Sequence, residues 1–104
     1  MTTLIVRLRG DFPAEEVAAT GDDTGALARI IASLDPVRYP YLAYVDPFGI
    51  TVFNRLQMDV VIPELIRLRA EEDAGRVGSV IDQVIQFASR CRDEVHLYVE
   101  FERD

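Results

Sequence analysis

The sequence predicts an α+β domain: a four-stranded, mainly antiparallel sheet with helices stacked on one face. Three observations lead there. Apolar residues alternate with other types at both ends of the chain, over Thr2–Arg9 and Val95–Phe101, as in strands with one buried face. The middle carries stretches whose apolar residues fall three and four apart, the spacing of a single helical stripe. The length, 104 residues, suits one domain spanning residues 1–104. A chain of this size buries roughly 65% of the surface its unfolded form exposes, so its core requires no metal or disulfide.

In the first strand Leu4, Val6 and Leu8 point one way, Thr3, Ile5, Arg7 and Arg9 the other, and Gly10 ends it. Asp11-Phe12-Pro13 opens a short helix to about Ala19, since proline is tolerated in a first turn. Gly21 closes that helix, and Asp22, Asp23 or Thr24 caps the next. There Leu27, Ile30, Ile31 and Leu34 form one apolar stripe. Asp35-Pro36 stops it, because the residue before a proline avoids helical geometry.

Tyr41–Val45 and Ile50–Phe53 are β-rich runs flanking Asp46-Pro47-Phe48-Gly49. Asp first, Pro second and Gly fourth suit a type I turn, with Gly49 as the left-handed residue of a hairpin loop. This hairpin is apolar on both sides, through Tyr41, Ala43, Val45 and Phe53 on one and Leu42, Tyr44 and Val52 on the other. One of the two sets must lie on the open face of the sheet. Asn54-Arg55-Leu56-Gln57 reads as a capping box, with Asp59 a rival cap. Pro63 favours the later start, because a proline deep inside a helix costs about 3 kcal/mol. A helix over about Val60–Asp73 then buries Val61, Ile62, Leu65, Ile66 and Leu68. Gly75 interrupts, and a further helix over about Val77–Arg92 carries Val77, Val80, Ile81, Val84, Ile85, Ala88 and Cys91 at helical spacing. In the last strand Val95, Leu97, Val99 and Phe101 face the core, while Glu94, His96, Tyr98, Glu100 and Glu102 face away.

The resulting order, β, α, β, β, α, β, resembles that of the ferredoxin-like split βαβ motif. With helices on one side only, the other sheet face stays uncovered. If the first and last strands are neighbours, their Arg and Glu residues pair across it, worth a few tenths of a kcal/mol per pair. A Tyr-bearing mixture of apolar and charged groups is what protein interfaces favour. The candidate partner surface is accordingly Arg7, Arg9, Tyr44, His96, Tyr98, Glu100 and Glu102.

Residue counts exclude several chemistries. All eleven basic residues are Arg, so neither a Schiff-base lysine nor the lysine of a phosphate-binding G-K-[ST] loop is available. The single Cys, Cys91, allows no internal disulfide and no thiolate zinc cage. A single His, His96, excludes H-E-x-x-H and multi-histidine metal centres. Neither G-x-G-x-x-G nor G-x-S-x-G occurs. His96, beside acidic residues, suits a general base, but Ser33, Ser79 and Ser89 fall in helices and Cys91 on a buried stripe, leaving it no nucleophile. The expectation is a non-enzyme with no cofactor and no metal. No apolar run approaches 18 residues and no leader is evident, so a cytoplasmic chain that does not enter membranes is expected. The formal charge of −7 repels nucleic-acid phosphates and attracts basic proteins.

The segment Tyr44-Val45-Asp46-Pro47-Phe48-Gly49-Ile50-Thr51-Val52-Phe53-Asn54-Arg55-Leu56-Gln57 resembles one found in small stand-alone bacterial proteins of unknown function. The resemblance covers about a seventh of the chain and implies a bacterial stand-alone domain, with no activity or site attached. Two functional readings follow from the residues. One is an acidic protein-interaction domain of the inhibitor, immunity or antitoxin type, acting on another, basic protein. The other is a small-molecule-binding regulatory domain that forms a homodimer through its open sheet face, by analogy with small split βαβ domains.

Overall fold

The alternation at the two chain ends has a common cause: both strands lie side by side in the middle of one sheet. A computed structural model describes residues 3–10, 15–72 and 75–103. Its strands are β1 (Leu4–Gly10), β2 (Glu16–Asp22), β3 (Ile50–Phe53) and β4 (Leu97–Arg103). The helices are α1 (Ala26–Ala32), α2 (Met58–Glu71) and α3 (Arg76–Asp93), with 3-10 turns at Leu42–Tyr44 and Arg55–Gln57. The sheet runs β2-β1-β4-β3 with every neighbouring pair antiparallel, an α+β fold. Leu4, Val6, Leu8, Val99, Phe101 and Phe53 point to the helical side and join Leu27, Val61, Leu65, Ile81 and Val84 in one buried cluster. Phe53 anchors its centre, edge-on to Phe101 (centroids 5.7 Å apart) and stacked with Tyr41 (6.1 Å).

The element order, ββαβααβ, departs from the expected βαββαβ in two places. The helix expected up to Ala19 is a strand where it is described. Its opening, Asp11-Phe12-Pro13, lies outside the described residues. Val17, Ala18, Ala19 and Thr20 carry no strong helical stripe, and the free edge of β1 supplies a hydrogen-bond ladder that decides the matter. A bulge between Leu8 and Arg9 leaves Val17 out of the register. The split βαβ order is therefore replaced by a β1–β2 hairpin.

The second departure is Tyr41–Val45, which forms a 3-10 turn and not the first strand of a hairpin. The Glu64 carboxylate, only 2% exposed, accepts the backbone N–H groups of Tyr41 and Leu42 (3.2 and 2.9 Å). A strand partner would need those same donors. The 46–49 turn does form, with the Asp46 carboxylate accepting the Phe48 N–H at 2.9 Å. Gly49 is not left-handed; it leaves room for that carboxylate, which would stand 2.9 Å from a Cβ there.

Local capping chemistry sets the helix starts. In α1, Gly25 takes φ 82° at the cap position, and the Asp22 carboxylate reaches past it to the Leu27 N–H at 2.8 Å. The capping box is complete in both directions, Gln57 N–H to Asn54 (3.1 Å) and Asn54 N–H to Gln57 (2.7 Å). It starts α2 earlier than Pro63 suggested, and Pro63 sits inside the helix on its exposed side. Ile66, expected in the core, is 54% exposed. Gly75, at φ 115°, precedes α3 as the break expected there. The last strand begins two residues later than expected. The chain must reverse between α3 and β4, and His96 supplies the left-handed residue (φ 65°), leaving Val95 63% exposed in the turn.

Candidate functional site on the open sheet face

Pairing β1 with β4 places Arg7 opposite Glu100, Ile5 opposite Glu102 and Arg9 opposite Tyr98 on the face away from the helices. Arg7 is the hub. Its Nε meets Glu16 at 3.0 Å and its Nη1 meets Glu100 at 3.1 Å and also Glu102. Arg9 Nε reaches the other Glu100 oxygen at 3.1 Å. Glu100 is thereby shared between two guanidiniums, and its side chain is only 10% exposed although no helix lies over it. The hydrogen bond to Glu102, with those to Glu100 and Glu16, outweighs the effect of burial and holds the Arg7 guanidinium above its ordinary range.

Among the described residues two guanidiniums meet three carboxylates, so this part of the cluster carries a formal net charge of −1. An exposed pair is worth little, but here shared partners and partial burial hold the side chains in place. On the β3 side the cluster has an apolar margin. Val52 lies opposite Glu100 and Ile50 opposite Glu102, and they are 49% and 54% exposed.

Of the seven residues singled out from the sequence, Arg7, Arg9, Glu100 and Glu102 converge on this cluster, and half-buried Tyr98 lies beside it. His96 stands in the turn before β4 and helps line a separate groove of about 340 Å³ with Arg55, Leu56 and Tyr98. Tyr44, on the 3-10 turn and 71% exposed, is not on the sheet, because the hairpin that was to carry it does not form. Sequence reasoning missed Glu16, assigned to a helix, and Ile50. No simple alternation signals the strand that delivers Glu16, because Thr20 and Ala18 pair with core-facing Val6 and Leu8, and the bulge at Val17 turns Glu16 to the other face, opposite Arg9.

Among the described residues no group of three or more His, Cys, Asp or Glu could hold a metal ion, and no helix is long and apolar enough to cross a membrane. Cys91 is buried, its thiol directed at the Leu97 carbonyl (3.2 Å) and pushed up by burial, which makes it a poor nucleophile. Comparison with protein-family models, with curated proteins and with solved structures finds no match.

Proposed function

We propose that this chain is a non-catalytic binding module whose open sheet face docks a basic protein. The observation that carries the reading is the open-face cluster itself: Glu100 is held by Arg7 and Arg9, with half-exposed Val52 and Ile50 beside it. An ordered charged centre with an apolar margin loses little side-chain entropy on docking. The net charge of −7 favours encounter with a cationic partner. A second copy is a poorer occupant, since it would set one negative cluster against another. An inhibitor, immunity or antitoxin role is the form this takes when the partner is an enzyme or toxin, and the cytoplasm is the compartment that reading implies.

The test is capture from host lysate followed by affinity measurement with the captured protein. Val52→Arg should weaken binding about tenfold or more, since it removes an apolar contact and adds a like charge. Ile66→Arg, a similarly exposed site on α2 and off this face, should leave binding unchanged, and the association rate should fall with salt. A partner held equally well by Val52→Arg would remove the sheet face from consideration. Self-association abolished by the same variant would favour the homodimeric alternative.

A further inference from the structure

On the helical side of the molecule, the loop from Val37 to Pro40 and one side of α2 bound a groove of about 550 Å³. Asp59 and Arg67 stand at its two ends along the helix, and Val37, Pro40 and Pro63 form apolar walls between. Two groups there are incompletely used by the fold. Pro63 has no N–H, so the Asp59 carbonyl four residues earlier lacks its intrahelical donor. The Arg67 guanidinium makes no direct salt bridge among the described residues, although its charge acts on the nearby Glu71 carboxylate, which Tyr39 and Arg38 hold. It donates Nη1 to the Arg38 carbonyl and lies 5.6 Å from the centroid of the buried Tyr39 ring. Its neighbour Arg38, by contrast, is held by Glu71 at 3.2 Å. Glu64 also borders the groove, but its oxygens already accept the Tyr41 and Leu42 N–H groups. Val37 projects at the rim, 87% exposed.

Eight helical residues separate Asp59 from Arg67, a rise of about 12 Å. Five residues of extended peptide, four steps of about 3.3 Å, cover that distance and set the first and fifth side chains on the same side. We propose that the groove binds an extended peptide segment with a cationic side chain on Asp59, a carboxylate on Arg67 and apolar residues between. Arg67 offers a planar donor pair suited to a carboxylate, and the Asp59 carbonyl offers an acceptor to the peptide backbone. This site is independent of the open sheet face, so either can fail without the other.

The probes are the capped pentapeptides KVVVE, KVVVQ and QVVVE, titrated into the full chain and followed by amide chemical shifts. KVVVE should bind saturably, with shifts confined to 37–40 and 59–67. Exchanging the peptide's Glu for Gln should weaken binding about threefold to fivefold with the natural chain and have no effect with Arg67→Gln. Exchanging its Lys should do the same with the natural chain and nothing with Asp59→Asn. Asp59 is exposed, so its variant decides the matter if Arg67→Gln does not fold. Absence of saturable binding at millimolar KVVVE would overturn the proposal, as would variants that respond to peptide charge just as the natural chain does.

Discussion

Replacing Glu64 by Ala should be among the most damaging single changes in this domain. Its carboxylate is 2% exposed and holds the N–H of Tyr41 through both oxygens (3.2 Å each) and that of Leu42 at 2.9 Å. Leu42 is fully buried, so its N–H has no water to fall back on. An unsatisfied buried donor costs about 1–3 kcal/mol, and two donors lose a charged acceptor together. We expect a loss of about 3–5 kcal/mol, against a total stability of about 5–15 kcal/mol for an ordinary domain. At a urea slope of about 1.5–2 kcal/mol per molar the unfolding midpoint falls by about 2 M. Glu64→Gln keeps one acceptor and should lose roughly half as much. The assay is equilibrium urea unfolding, with amide exchange at Tyr41 and Leu42 as the local readout. A Glu64→Ala midpoint within experimental error of the natural chain would refute the account of why residues 41–45 turn inward.

Three further outcomes are expected. Burial pushes the Asp22 carboxyl up, but hydrogen bonds from Leu27 N–H and from Thr24 outweigh it and hold it below its usual 3.8. Its contribution is therefore present above about pH 4 and lost as the pH falls through the lower folded value. Asp22→Asn should cost about 1–2 kcal/mol at neutral pH and flatten the acid limb of the stability profile; an unchanged acid limb would refute this. Burial and the hydrogen bond to Glu71 push the Tyr39 hydroxyl up to about 12, from 10.0. The Tyr39 phenol should titrate there, and its absorbance step should vanish in Tyr39→Phe; since the folded value is raised, that stabilisation is complete below pH 10 and disappears as the pH rises through 12. Finally, Cys91 should react with an aromatic disulfide reagent only after unfolding, and rapid labelling of the native chain would show that its helix opens.

Several features were legible because their causes are local or periodic. The alternation in β1 and β4 follows from one buried sheet face, and the stripe in α3 from one buried helical face. The Asn54–Gln57 box is complete within four residues, so no distant group was needed to recognise it. The pairing of Arg7 and Arg9 with Glu100 and Glu102 followed once the two terminal strands were neighbours.

What the sequence determined by itself was thus the α+β class, the two central strands, the strand Ile50–Phe53, the helices α1, α2 and α3 and the charged heart of the open face. Tertiary structure decided the rest, wherever a segment's backbone groups found partners far along the chain. Residues 16–22 have no local stripe, and the ladder offered by β1 makes them a strand, which brings Glu16 to Arg7. Residues 41–45 have strong β propensity, yet a buried carboxylate 22 residues away from Leu42 takes the N–H groups of Tyr41 and Leu42 and bends the segment into a turn. Propensity at such positions amounts to a few tenths of a kcal/mol per residue, whereas a buried donor left unpaired costs several times that. The partner-dependent term therefore wins, and Tyr44 leaves the sheet while Glu16 joins it.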